Sequence, residues 1–360
     1  MIVLGSTGSI GVNTLNIARE FNLEVETLVA GRNYQLLQEQ INEFRPKYVV
    51  VADKEVATKV EHDNILFGEE SILEVITKSS SDLVVNALVG FLGLKPTIVS
   101  IKLGKRVALA NKESLVVAGK FIDISKIDAI DSEHFGLWYL MQNRPINKLV
   151  ITASGGSFRD IPLESLKSVN VKDALNHPNW KMGNKITIDS ATMVNKVFEA
   201  IEAKWLFGID KIDAVIEKSS IVHSLVEFKD GSTTAHLSNA DMRLPIAFAI
   251  LKKFDKQILK PLELTKLRDI VFHNIDIDRY RVWSLKDELI KNPDLGVLIN
   301  ASNEVGVEAF LNEKIGFLDI SKIIFKTVNK FSNIRVSGLD DIFEIDREVR
   351  RFCQLDMIKN

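Results

Sequence analysis

Cysteine is almost missing from this chain: its 360 residues include one, Cys353. A lone cysteine excludes an intramolecular disulfide and any cysteine-based metal site, and it fits a reducing cytoplasm. Its place near the C-terminal end makes it a poor nucleophile candidate, so a structural role is expected. Long apolar runs are also missing. Apolar residues make up 46% of the chain, but no segment approaches the roughly 18 uninterrupted apolar residues of a membrane span, so no membrane association is expected. Neither sign of charge dominates, with 46 Lys and Arg against 48 Asp and Glu. Without a basic block or an acidic tail, a nucleic-acid partner is not expected. The sequence opens on the apolar strand pattern Met1-Ile2-Val3-Leu4, so no signal or transit peptide is expected.

That first strand leads into Gly5-Ser6-Thr7-Gly8-Ser9-Ile10-Gly11, followed by the helical pattern Leu15, Ile17, Ala18, Phe21. Glycine at every third position departs from the commoner GxGxxG. The physics is the same: a tight turn, close backbone approach to a pyrophosphate, and free amides at a helix start. A second strand, Glu26–Ala30, ends in Gly31-Arg32-Asn33. An acidic residue there would suit the ribose hydroxyls of NAD, whereas Arg32 suits the 2′-phosphate of NADP. Strands at Tyr48–Ala52, Leu83–Asn86 and Arg106–Ala110, with helical segments between them, imply a doubly wound parallel sheet. The last of these runs into Asn111-Lys112-Glu113-Ser114, where polar side chains face the ligand crevice or cap a helix.

Ile127–Ile130 reads as a further strand ending in Asp131-Ser132-Glu133-His134. On an extended backbone Asp131 and Glu133 point the same way, as hard ligands for Mg²⁺ or Mn²⁺ would. Capping of a helix over His134–Met141 is the simpler alternative. The strand Lys148–Ala153 ends in Ser154-Gly155-Gly156, a turn able to hold an oxyanion or merely to be flexible. The densest chemistry lies in His177–Glu199. It reads as a loop with His177, Trp180, Met182 and Gly183, then a strand Lys185–Asp189, then a helix from about Ala191 to Phe207 capped by Asp189 or Ser190. On that helix Asn195 and Glu199 share a face, with Lys196 and Ser190 close by. An ordinary surface pair of Lys196 and Glu199 is the bland alternative.

Taken in this order, the motifs Gly5–Gly11, Ala110–Ser114, Asp131–His134, Ser154–Gly156, His177–Glu199, Asp241–Ala247 and Asn300–Glu304 resemble the 1-deoxy-D-xylulose 5-phosphate reductoisomerase family over essentially the whole chain. The resemblance implies NADPH on Thr7, Gly8, Ser9, Ile10, Gly31, Arg32, Asn33, Asn111, Glu113 and Gly183. It implies the divalent metal on Asp131, Glu133 and Glu199. It implies the sugar phosphate on Lys112, Ser132, Glu133, Ser154, His177, Trp180, Ser190, Asn195, Lys196 and Glu199, with the phosphate near Ser154, Ser190 and Asn195. Lys112, Glu133 and Lys196 are the implied catalytic groups, and Trp180 and Met182 belong to a closing loop. Val197-Phe198 stands where the family usually has Gly-Leu, and Ser157 where it has proline; neither is a ligand position.

The expected fold is α/β. An NADPH-binding Rossmann-like doubly wound parallel sheet spans 1–125. An α/β catalytic domain spans 126–255, with a lid at 154–183. A connector at 256–280 leads to a C-terminal helical domain at 281–360. A homodimer is implied by the family, and the lone cysteine makes a cytoplasmic location the expectation. The expected activity is a metal-assisted skeletal rearrangement, by retro-aldol/aldol steps or an acyl-type shift, followed by hydride transfer from NADPH. Another NADP-dependent sugar-phosphate or semialdehyde dehydrogenase would explain the glycine turn but not three metal carboxylates. A non-catalytic nucleotide-sensing protein would keep the glycine turn but need not keep Asp131, Glu133 and Glu199 together.

Overall fold

The computed structural model describes residues 1–141 and 144–359. The chain divides into two compact units, the first formed by Met1–Ser114, Ile122–Phe135 and Asp241–Lys260. Its strands are β1 (Ile2–Leu4), β2 (Thr27–Val29), β3 (Tyr48–Val51), β4 (Ile65–Phe67), β5 (Leu83–Asn86), β6 (Arg106–Leu109) and β7 (Ile127–Ala129). They pair in parallel in the order β4-β3-β2-β1-β5-β6-β7. The parallel doubly wound sheet read from the sequence is therefore present, and β4 is a strand that the pattern did not reveal.

Such strands bury both faces, which is why they read as continuous apolar runs. Val3 packs with Leu15, Ala18 and Leu28 on one face. Ile2 and Leu4 pack with Val29, Ile72 and Val75 on the other. The helix Arg243–Leu251 also joins this unit, setting Ile246, Ala247 and Ile250 against Ile17, Val85 and Ala108. The Arg106 guanidinium donates to the Ala249 and Ile250 carbonyls, each at 2.7 Å. A cation there meets the negative end of the helix dipole.

The second unit comprises Leu115–Phe121, Gly136–Ala240 and Pro261–Asn360. Its strands are β8 (Ile146–Ala153), β9 (Ile212–Glu217), β10 (Val222–Phe228), β11 (Thr233–Leu237) and β12 (Phe272–His273), ordered β11-β10-β8-β9-β12. Among the described residues only the β8–β9 pair of this sheet is parallel. Helices Leu295–Leu311, Phe317–Lys330 and Leu339–Lys359 complete the C-terminal region. In the last of them Cys353 is buried with its thiol 3.3 Å from the Thr327 hydroxyl.

Two expectations are corrected. Residues 185–189 are not a strand but part of a helix, Asn184–Thr192, and the next helix begins at Val194 rather than Ala191. The β-branched Ile186, Thr187 and Ile188 suggest a strand by propensity. Burial of Ile188 and Ala191 and the fixed carboxylate of Asp189 override that preference. Neither Asp189 nor Ser190 caps the second helix. Met193 breaks the two helices apart in the left-handed conformation, at φ 69°.

Candidate functional site

In the first unit the glycine turn follows β1, whose neighbours β2 and β5 lie on opposite sides of it. This is the switch point at which doubly wound sheets bind ligands. Gly11 has no room for a side chain, since a Cβ there would lie 2.2 Å from the Gly5 carbonyl oxygen. The turn stays tight, and the helix Ser9–Glu20 starts with Gly8 and Ser9 exposed. After β2, Asn33 caps the helix Tyr34–Phe44, its side chain accepting the Leu36 N–H at 3.3 Å. Arg32 is 73% exposed in its side chain and pairs with Asp53 at 2.7 Å. Asp53 is itself a helix cap, accepting the Val56 N–H.

Beyond β6, Asn111 is buried and caps the Lys112–Ala118 helix by accepting the Ser114 N–H at 3.1 Å. Its amide group donates to the Leu88 and Gly90 carbonyls and to Glu113. This rigid cap fixes where Lys112 starts. The Lys112 ammonium then lies 3.0 Å from Asp131 Oδ2.

Asp131 also acts as a cap. Its Oδ1 accepts the N–H groups of Glu133 (3.0 Å) and His134 (3.3 Å) at the start of the helix Ser132–Leu140. The extended backbone expected for Asp131–Glu133 is thus replaced by a helix start. The Ser132 hydroxyl donates to Glu133 Oε2 at 2.6 Å.

In the second unit, β8 ends at the turn Ser154-Gly155-Gly156, with φ of 87° and 70° at the two glycines. The Arg159 guanidinium donates to the Ser154 carbonyl (2.7 Å) and the Tyr280 hydroxyl to the Gly155 carbonyl (2.8 Å). Sequence reasoning missed both supports. Arg159 lies only five residues past Ser154 but has no pattern of its own, and Tyr280 carries no local signal.

His177 organises the turn. Its Nδ1 accepts the N–H groups of Asn179 (3.1 Å) and Trp180 (3.0 Å), so the ring hydrogen belongs on Nε2. Nε2 donates to the Ser154 hydroxyl at 2.9 Å and lies 3.5 Å from that of Ser190. Ser154 Oγ also accepts the Gly156 N–H. With both lone pairs engaged, the hydroxyl hydrogen of Ser154 is what remains for an anion.

Burial, with Arg159 and Lys196 nearby, lowers the His177 pKa to about 4. The unfolded chain takes up this proton near 6.5 while the folded one does not. Stability should therefore fall as pH drops from about 6.5 toward 4, with a slope of up to one proton. His177→Gln should flatten that part of the unfolding-temperature profile; an unchanged profile would contradict the neutral imidazole.

On the helix Val194–Phe207, Glu199 Oε1 accepts from the Asn195 amide and Oε2 from the Lys196 ammonium. Lys196 is 6% and Glu199 1% exposed, which rules out an ordinary surface pair. Trp180 is half-buried, edge-on to His223 with ring centroids 6.3 Å apart.

A glycine turn at the switch point of a parallel sheet marks the dinucleotide-dependent oxidoreductases. Similarity to known proteins narrows that class. A family model described as 1-deoxy-D-xylulose 5-phosphate reductoisomerase matches residues 1–119. Models of its C-terminal domains match 127–207 and 237–352. The reductoisomerase of Nautilia profundicola is 57% identical, covering 99% of this chain and 100% of its own length. That of Campylobacter hominis is 54% identical, covering 99% of both. A solved reductoisomerase in complex with NADPH, fosmidomycin and magnesium superposes with a TM-score of 0.92 at 36% identity, over 99% of this chain and 97% of the other. The Zymomonas mobilis enzyme in complex with NADPH gives 0.87 at 36%, over 99% and 98%. The chain belongs to the 1-deoxy-D-xylulose 5-phosphate reductoisomerase family.

Proposed function

We infer that this protein is an NADPH- and divalent-metal-dependent enzyme converting 1-deoxy-D-xylulose 5-phosphate to 2-C-methyl-D-erythritol 4-phosphate, a step toward isoprenoid precursors. The observation that carries the residue-level reading is the neutral His177, which leaves the Ser154 hydroxyl as a hydrogen donor beside Ser190. We assign these two hydroxyls and Asn195 to the substrate's phosphate. NADPH is assigned to the turn Thr7–Ile10, to Gly31, Arg32 and Asn33, and to Asn111, Glu113 and Gly183. The metal is assigned to Asp131, Glu133 and Glu199.

The donor chemistry fits Mg²⁺ or Mn²⁺, because the three side chains offer only hard carboxylate oxygens. Lys112 and Lys196 already neutralise Asp131 and Glu199 respectively. When bound, the metal supplies Lewis acidity toward the substrate's carbonyl and neighbouring hydroxyl oxygens. Lys112 and Lys196 steady negative charge that develops on those oxygens. Ser132, through its bond to Glu133, orients that carboxylate. Trp180, beside Met182, covers the bound sugar and excludes water. NADPH oxidation that depends on both metal and substrate, with identification of the product, tests the activity as a whole.

Arg32 sets cofactor choice. Arg32→Glu should remove a 2′-phosphate partner and place a second carboxylate beside Asp53. The preference for NADPH over NADH should fall by about 10–100-fold, the scale of a charge-assisted hydrogen bond. Cofactor titrations would show this; equal weakening of both cofactors would make Arg32 structural.

The division at about 125, 255 and 280, with a lid over 154–183, is retained as a proposal about which segments carry cofactor, chemistry and C-terminal support. A cytoplasmic location is supported by the single buried Cys353, and no helix of the described residues is long and apolar enough to cross a membrane. The homodimer expected of the family is tested by light scattering.

A further inference from the structure

We propose that Asp189, clamped between Lys185 and Asn303, is a positioning residue that sets the phosphate site by fixing Ser190. The helix Asn184–Thr192 has little intrinsic reason to be helical. It is nine residues long, shorter than the roughly 12–15 that give even marginal helicity in isolation. It carries three consecutive β-branched residues, Ile186, Thr187 and Ile188, which disfavour helix. It opens on Gly183 without a side-chain cap and has no acidic residue in its first turn.

Tertiary bonds hold it instead. The Asp189 carboxylate is buried, with Oδ2 accepting from Lys185 Nζ at 2.7 Å, one turn back. Oδ1 accepts from Nδ2 of Asn303 at 2.8 Å. Asn303 is fully buried on the helix Leu295–Leu311, 114 residues further along the chain. A buried carboxylate needs both donors, and removing one leaves it partly unsatisfied. The residue after Asp189 is Ser190, whose hydroxyl faces His177 and whose carbonyl packs on the turn at Gly156. The clamp therefore determines where the Ser190 peptide lies.

This inference rests on the assignment of Ser190 to the phosphate. Asn303→Leu, which fills the space without donating, should raise KM for 1-deoxy-D-xylulose 5-phosphate at least tenfold. The inhibition constant of a hydroxamate phosphonate should rise in parallel. kcat should change less than threefold and NADPH affinity not at all, a split that general loss of structure would not produce. Ser190→Ala should raise KM similarly, and the double variant should be no worse than Ser190→Ala alone. If Ser190→Ala leaves KM unchanged, the phosphate assignment itself fails. If Ser190→Ala raises KM while Asn303→Leu does not, or if the two effects multiply, only the positioning role is overturned. Should Asn303→Leu not fold, Lys185→Gln, which keeps a donor but removes the charge, should raise KM at least threefold; an unchanged KM would overturn the proposal.

Discussion

Glu199→Gln is expected to lower kcat/KM by about a thousandfold or more, on the scale of the several kcal/mol that a Lewis-acid metal supplies. NADPH affinity should stay within about threefold, since the glycine turn that holds the cofactor lies in a different part of the chain. Glutamine is nearly isosteric, so packing is kept. What is lost is the charge that a divalent metal needs and a carboxylate charge beside the buried Lys196 ammonium. Losing that charge predicts a lower unfolding temperature as well, because weakening a buried ion pair is costly. Asp131→Asn should also abolish turnover, with a smaller loss of stability. Asparagine is as good a helix cap as aspartate, so Oδ1 can still accept the N–H groups of Glu133 and His134, but the carboxylate charge beside the buried Lys112 ammonium is lost. Steady-state kinetics across a metal titration, with NADPH binding followed by fluorescence, would check both variants. Normal turnover at saturating metal in either one would remove that carboxylate from the proposed metal set.

The second large effect is expected at Gly156. Its φ is 70°, and an added Cβ would come within 2.6 Å of Ala191 Cα and 2.8 Å of the Ser190 carbonyl oxygen. All three atoms nearest that Cβ are backbone, so no flexible side chain can move aside. Gly156→Ala should therefore cost about 2–5 kcal/mol, from the left-handed conformation and the overpacking together. The strain falls where the Ser154 turn meets the helix carrying Ser190. Substrate KM should rise more than a hundredfold in whatever protein folds, with NADPH affinity retained. Gly183 provides the comparison. No atom lies within 4 Å of a Cβ built there, and its φ is negative, so Gly183→Ala should cost well under 1 kcal/mol. Denaturant unfolding of the two variants would show whether the close approach at Gly156 is responsible.

The alternation of short apolar runs with amphipathic segments was enough to give the parallel sheet, because a strand covered on both faces must be apolar along its length. The Gly5–Gly11 turn, the Asn195–Lys196–Glu199 face and the Ser154 turn were legible for the same local reason. Each is a residue pattern whose geometry follows from one backbone conformation. Asp131–Glu133 was half legible, since capping and metal binding call for the same residue type at a helix start.

The helix Asn184–Thr192 was not legible. Its local sequence favours a strand, and its helicity depends on a buried bond from Asp189 to Asn303 across 114 residues. The placing of Arg243–Leu251 against Ile17 and Val85 was equally hidden, since no short-range pattern reports which distant surface an apolar helix will cover. So was the state of His177. The sequence supplies an imidazole, but the converging N–H groups of Asn179 and Trp180 fix its tautomer, and burial with Arg159 and Lys196 nearby keeps it neutral. The sequence by itself determined most strands of the nucleotide sheet, the nucleotide turn and the kinds of chemical group present, because these depend on neighbours within a turn or two of the chain. Tertiary structure decided which conformation the ambiguous segment takes, which hydroxyl keeps a hydrogen to give, and which charges are buried, because each depends on residues that only folding brings into contact.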